Sequence, residues 1–307
     1  MHRLGLALIA LTAAARLGAQ AEGSVLATMP GSTRAAALGE VGAALAGDAA
    51  ALLTNPAAAV PAGRLALEGS FERYLADAAV SSGAVAGRLG GGPLVAALGV
   101  QALDYGAEDE IVPDPATGGR RGMRTGRSFD AGELIVASSL AYRRGALVIG
   151  GAVKYAHRHV ADWSADGWAG DLGMTLGLKD GVIAGVSVQN LGGDLGDGGR
   201  LPRLGRAGIA ARWHDVTRPW WLLGTAELQW PSGESLRLAA GAEAGLTRGD
   251  VALVGRLGYA ARPAGSDAAP VTVGGAVVIG TLALDYAYRD FDLLGGGTHR
   301  LGLRWTR

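Results

Sequence analysis

From about residue 63 to the end of the chain, large apolar side chains recur at every second position, with Gly, Ala, Ser or a charged residue between them. A repeat of two belongs to β-strands whose faces meet different surroundings. The C-terminal segments are clearest. In 235–246 one parity holds Leu236, Leu238, Ala240, Ala242, Ala244 and Leu246, and the other holds Arg237, Gly241, Glu243 and Gly245. In 282–289 Leu282, Leu284, Tyr286 and Tyr288 oppose Asp285 and Arg289, and in 298–305 Leu301, Leu303 and Trp305 oppose Arg300 and Arg304. Extending this segmentation predicts about fourteen strands, beginning near residues 63, 76, 93, 131, 145, 168, 181, 205, 218, 235, 250, 270, 281 and 297.

An even number of antiparallel strands closes into a barrel with both termini on one side. The connections agree. Those after the second, fourth, sixth, tenth and twelfth strands are tight (Gly90 to Pro93, Arg143 to Gly145, Lys179 to Gly181, Arg248 to Asp250, Gly280-Thr281), whereas others are long, such as Gly106 to Asp130 and Gly192 to Leu204. Trp220 and Trp230 share one parity of one strand, and ten residues rising about 3.4 Å each at a tilt of about 45° climb roughly 24 Å. That is close to the about 25 Å apolar band that aromatic girdles flank in outer-membrane barrels. In a soluble sandwich the polar face meets water and is richly charged; here it is mostly Gly, Ala and Ser. The fold class expected is therefore all-β, a transmembrane antiparallel barrel. Its lumen takes Arg237, Glu243, Arg256, Asp285, Arg289, Arg300 and Arg304, together with Lys154, Asp171, Arg206, Arg212 and Glu227. Leu172, Ile209, Leu228, Leu236, Leu257, Leu284 and Leu303 face lipid.

Composition sharpens this picture. The 307 residues include 52 glycines and no cysteine, 49% are hydrophobic and only 18% charged, and 28 basic side chains balance 28 acidic ones. Zero net charge gives no electrostatic basis for nucleic-acid binding, and without cysteine there is neither a disulfide framework nor a thiolate metal site. Residues 1–21, with His2 and Arg3, the run from Leu4 to Leu11 and Ala19-Gln20-Ala21, follow the pattern of a cleaved export signal.

Residues 22–62 break the alternation and read as a small-side-chain hatch ahead of a barrel spanning 63–307. Asp48 is expected to cap a turn over 49–53, and Asn55-Pro56 to start a second. Arg34 to Gly39, Val41 to Leu52 and Asn55-Pro56-Ala57 resemble the N-terminal signature of the PorV/PorQ family, and 284–289 with Gly295 and 298–301 resemble its last hairpin. That family resembles the FadL-type outer-membrane transporters. The resemblance implies a hatch inside a fourteen-stranded barrel, with Arg34, Gly39, Glu40, Asp48, Asn55, Pro56 and Ala57 as its motif residues. Glu40 stands where the family usually has a second glycine.

Other candidate chemistry is thin. His157 and His159 share a strand face, the spacing of a metal pair, but with no carboxylate cluster adjacent apart from Asp162 and Asp166 they are read as loop-end histidines in polar surroundings, and no metal site is expected. Gly192 to Gly199 lacks the spacing of a calcium loop and the context of a phosphate loop, and reads as a flexible loop. The stretch 108–127 is acidic first and basic later, which by default is solvated loop charge and in the alternative a surface for lipopolysaccharide phosphates or a protein partner. No G-x-S-x-G elbow is present. The expectation is a bacterial outer-membrane barrel, not an enzyme and without a cofactor, that transports a hydrophobic or amphipathic small molecule. Its alternatives are a type IX secretion component acting on secreted proteins and an outer-membrane lipid hydrolase.

Overall fold

A computed structural model describes residues 24–179, 181–196, 199–215, 217–262, 266–291 and 296–307. The expected export signal, residues 1–21, and Gly295 lie outside them. Fourteen strands are present: β1 (Leu65–Arg73), β2 (Ala79–Arg88), β3 (Leu94–Pro113), β4 (Gly122–Arg144), β5 (Leu147–Val160), β6 (Trp163–Gly177), β7 (Val182–Leu191), β8 (Leu204–His214), β9 (Trp220–Pro231), β10 (Arg237–Arg248), β11 (Val251–Ala260), β12 (Ala268–Ile279), β13 (Leu282–Phe291) and β14 (Thr298–Thr306). Each pairs antiparallel with its sequence neighbour, and β1 pairs with β14 from Ala66↔Thr306 to Arg73↔His299, so the sheet closes. Closure leaves no strand edge unpaired, which a sheet in hydrocarbon requires.

The two parities separate as the alternation demands. Leu172, Leu236, Leu257, Leu284 and Leu303 are all more than half exposed on the outer wall, whereas Lys154, Asp171, Arg206, Glu227, Glu243, Arg256, Asp285 and Arg300 are buried inside it. Trp213 and Trp220 stand exposed towards strand ends, where amphipathic rings suit a lipid interface; Trp168, expected near the start of a strand, is exposed but lies within β6, which begins at Trp163. Among the described residues no helix is long and apolar enough to cross a membrane; the strands do so. Arg212 has the inward parity but sits at the barrel mouth, exposed, with its guanidinium 4.2 Å from the Trp221 ring centre.

Two expectations about loops need correction. The stretch 106–130 is not a loop: β3 and β4 continue past the barrel rim as a paired hairpin, with Ala107↔Asp130 and Val112↔Met123 in register. Its residues are wet on both faces, so no apolar parity marks it as strand. Arg124 and Asp109 bridge across it at 2.9 Å. The glycine-rich connection after β7 is not a free surface loop either, because Leu195 and Leu201 are 3% and 2% exposed and belong to the interior cluster that includes Leu26, Leu103 and Ile135. Gly192, Gly196 and Gly199, all at positive φ, let the chain turn inward there.

The outer wall generates a test. Leu172 lies on β6, 61% exposed, in the stretch of wall assigned to lipid. Leu172→Arg is expected to lower folding stability in liposomes by about 2 to 4 kcal/mol, read from denaturant titration; an unchanged midpoint would place this face in water.

Candidate functional site

The interior is occupied by the chain's own N-terminal segment. Ser32 caps the short helix α1 (Thr33–Ala37), its hydroxyl accepting from Ala35 N at 3.4 Å. Gly39 and Glu40 then take φ of 74° and 64° and reverse the chain. A Cβ on Gly39 would run into the backbone of Tyr259, so the wall itself demands glycine there. A 3-10 turn follows over Ala49–Leu53. Asp48 does not cap it through its side chain; the carboxylate is drawn instead to two arginines. Asn55 closes the segment. Its amide donates to Ala43 O at 2.7 Å, its side-chain oxygen accepts from Ala57 N at 3.0 Å, and Pro56-Ala57 form a plain turn rather than a second helix.

The hatch fits because the wall makes room. Inward glycines on several strands face it: Gly99 faces Leu52, Gly150 faces Pro56 and Ala57, Gly173 faces Asn55, Gly185 faces Ala43, Gly241 faces Leu38 and Gly302 faces Thr33. At Gly173 and Gly185 an added Cβ would overlap the hatch atom opposite. Leu38 and Leu52, both fully buried, supply apolar contact at these approaches.

Charge then ties the hatch down in a closed ring. Arg34 donates twice to Glu243, both at 2.8 Å; Arg256 bridges Glu243 and Asp285, each at 2.7 Å; Arg304 reaches Asp285 at 3.2 Å and Asp48 at 2.8 Å. Asp48 returns to Arg34 at 3.6 Å. Arg34 and Asp48 come from the hatch and the other four from β10, β11, β13 and β14. The Arg304 and Arg34 guanidiniums hold the Asp48 carboxyl below the usual carboxylate range despite the upward push of its burial.

Further anchors surround the ring. Glu227 accepts from Gly42 N and Ala43 N, both at 2.7 Å, and from Arg206 at 2.6 Å. Lys154, paired with Asp171 at 2.7 Å, shares the Leu53 carbonyl with Gln189. Arg300 donates to Pro30 O and Gly31 O at 2.7 and 2.9 Å, and Glu133 accepts from Ser24 Oγ and Leu26 N at 2.6 and 3.1 Å. Glu40 meets Arg289 and, at 3.3 Å, Arg262. Burial alone would raise the Glu40 carboxyl, but Arg289 and Arg262 outweigh it and hold the group at about 2, against an ordinary 4.5. Of the residues assigned to the lumen, Arg237 stands apart, bonded to Glu234 in the connection after β9. Glu133, Gln189 and Arg262 act here without having been marked beforehand; the inward parity of the first two was the available signal.

Between the hatch and the rim that carries the projecting hairpin lies a cavity of about 170 Å³, lined by Glu40, Tyr74, Arg203, Arg262, Arg289 and Phe291 among others. The strand-end histidines form no metal pair. His157 bonds Asp166 at 2.7 Å and His159 faces Asp130 at 3.4 Å, and no group of three metal-ligating side chains occurs among the described residues.

A closed, lipid-facing barrel of fourteen strands with a charge-anchored plug defines a plugged outer-membrane barrel. Its fold is shared with the P. putida toluene transporter TodX (TM-score 0.62, 14% identity, covering 92% of this chain and 99% of that one). The same holds for the Ralstonia pickettii toluene transporter TbuX (0.58, 15%, 92% and 99%) and a Pseudomonas aeruginosa FadL homologue (0.55, 11%, 94% and 99%). No family model and no curated protein matches the sequence.

Two outcomes follow. Gly185→Val should destabilise the protein by about 1 to 3 kcal/mol through overpacking against Ala43, while Gly255→Val, where an added Cβ meets nothing within 4 Å, should leave the unfolding midpoint in place. Because the Glu40 shift is downward, the stability its bridges add is complete above pH 4.5 and is lost only as pH falls through about 2. Carboxyl NMR, with Glu40→Gln to assign the resonance, should give a midpoint near that lower value; one near 4.5 would mean the bridges are not made in solution.

Proposed function

We propose that this protein sits in the bacterial outer membrane and passes a hydrophobic or amphipathic small molecule across it, with residues 31–62 as the movable plug. One observation carries the reading: the lumen is closed by a small-residue segment that, beside its apolar contacts with the wall, is tied to it by a ring of ion pairs and by hydrogen bonds to its backbone. The polar ties can be exchanged for water or for another ligand of like charge. The fold neighbours named as toluene transporters and as a FadL homologue support the choice of solute class.

The PorV/PorQ resemblance supports a second reading, action on secreted proteins, for which the projecting β3–β4 hairpin with exposed Ile111 and Met123 offers a surface. A lipid hydrolase needs a serine within reach of a histidine, and among the described residues His157, His159 and His299 have Asp166, Asp130 and Tyr286 as partners and no hydrogen bond joins a serine to a histidine.

Conductance and hydrophobic-probe uptake in reconstituted vesicles decide between them. A chain lacking residues 31–58 should pass several-fold more than the intact protein, and Asn55→Leu should fall between the two, since it removes the bonds to Ala43 and Ala57 within the hatch and the one to Met174 O on the wall, where the new side chain also meets Gly173. If the deleted chain still closes its barrel and passes no more than the intact one, the segment is not a gate and the interaction reading takes precedence.

A further inference from the structure

Glu40 is an unusual residue to find at its position. A non-glycine side chain in the left-handed region is strained by the approach of its Cβ to the backbone, and such strain persists where the surroundings over-determine it. Glu40 is held at φ 64° by its backbone, whose N–H donates to Ala35 O and whose carbonyl accepts from Arg206, both at 2.9 Å, and by its carboxylate, which meets Arg262 and Arg289. Two partly buried guanidiniums thus share one carboxylate. Both retain a buried Nε with no hydrogen-bond partner, so the anion position between them is under-filled. The Arg203 guanidinium, which lines the same cavity, has no hydrogen-bond or ion-pair partner among the described residues. The remaining cavity arginines are committed elsewhere: Arg206 to Glu227, Arg237 to Glu234, and Arg300 to Glu72 and the Pro30 and Gly31 carbonyls. The cavity therefore carries positive charge in excess of its carboxylates, concentrated where Glu40 sits.

The other wall is apolar. Tyr74 and Phe291 meet edge to face with ring centroids 6.0 Å apart, and Met29 and Pro202 adjoin them. A volume of about 170 Å³ is the size class of an engineered 150 Å³ cavity known to take up benzene. One ring fits.

We propose that this cavity binds a single-ring organic carboxylate, and that Glu40 occupies the anion position until the ligand's carboxylate replaces it. The ring lies against Tyr74 and Phe291, and the carboxylate lies between Arg262 and Arg289 with Arg203 within the same lining. Exchange of one carboxylate for another keeps both partly buried arginines paired, so it avoids the penalty of uncovering them. It also releases the Glu40 side chain from the wall, which leaves the reversal after α1 held by the backbone bonds of Glu40 to Ala35, Arg206 and Gln229 alone. As a statement about the transported substrate this rests on the transport reading above; as a binding site it stands on the geometry alone.

The test is calorimetric titration of the purified full chain in detergent with benzoate and with benzyl alcohol, its neutral analogue. Benzoate should bind at least about tenfold more tightly. Glu40→Gln, which removes the internal competitor, should strengthen benzoate by about a further tenfold, since apparent affinity scales with the fraction of vacant sites, and should leave benzyl alcohol unchanged. Arg262→Gln with Arg289→Gln should abolish the preference, with heat-modifiable gel migration reporting that the barrel is closed. If that double variant does not close, Arg203→Gln takes its place and should weaken benzoate alone. Equal binding of the two probes by the intact protein, or no gain in Glu40→Gln, overturns the proposal. Uptake of a neutral hydrocarbon probe into vesicles reads transport separately: uptake without benzoate preference removes the anion site only, and benzoate binding without any uptake removes the transport reading only.

Discussion

Charge placed inside a closed barrel must be paired, and this requirement organises the whole interior. Arg256, Arg304, Glu243 and Asp285 on the wall would be short of nothing by count, two of each sign, yet their geometry leaves gaps that Arg34 and Asp48 fill. To this ring the hatch contributes one charge of each sign and the wall two of each. Each part of the ring is therefore neutral by itself. Parting the ring strands no net charge, whereas parting Glu40 from Arg262 and Arg289 does. A ring in which the hatch supplied two arginines against a wall excess of carboxylates would hold more tightly and could not open without burying unpaired charge, at a cost of several kcal/mol per ion.

Glycine serves the same end by a steric route. In a strand it weakens packing and backbone order, so its abundance here asks for a reason, and the inward glycines facing the hatch provide it. Where Gly150 and Gly185 stand, the hatch backbone approaches the wall closely, and at Gly173 the side chains of Asn55 and Pro56 do. That proximity is what brings Glu227 within reach of Gly42 N and Ala43 N, and Lys154 and Gln189 within reach of the Leu53 carbonyl. Larger wall residues would fill the lumen better and would also hold the hatch beyond hydrogen-bond distance.

What the sequence made legible follows from what periodicity encodes. Strand parity, barrel closure and the inward turn of most charges were readable because one face meets lipid and the other does not, and this constraint applies at every second residue. It stops at the rim. Above the membrane both faces of 106–130 are wet, so Asp109 and Arg124 lie on a strand that carries no apolar signal. Leu195 and Leu201 were hidden for the opposite reason, two isolated leucines in a glycine-rich stretch whose burial depends on a hatch and wall distant in sequence. Asp48 shows how such long-range terms override local ones: its position before a helical turn favours capping by about 1 kcal/mol, but Arg34 and Arg304 offer a buried carboxylate more. Partners within the hatch were readable as residue types, and their pairing was not, because pairing across the lumen depends on which strand lies opposite.

The anchors are also distributed unequally along the barrel axis. Towards the short-turn end, Asn55 is held by neutral hydrogen bonds to Ala43 and Ala57 and sits against Gly173 with no room to shift. Towards the opposite rim, Glu40 is held by Arg262 and Arg289, and Ser24 and Leu26 by Glu133. An ion pair can trade one anion for another while both charges stay satisfied. A packed amide bonded to its own backbone has no such substitute. On the transport reading proposed above, a ligand arriving from the rim meets the exchangeable contacts first, and loosening proceeds from the rim inward, with the Asn55 turn as the last part of the hatch to give way.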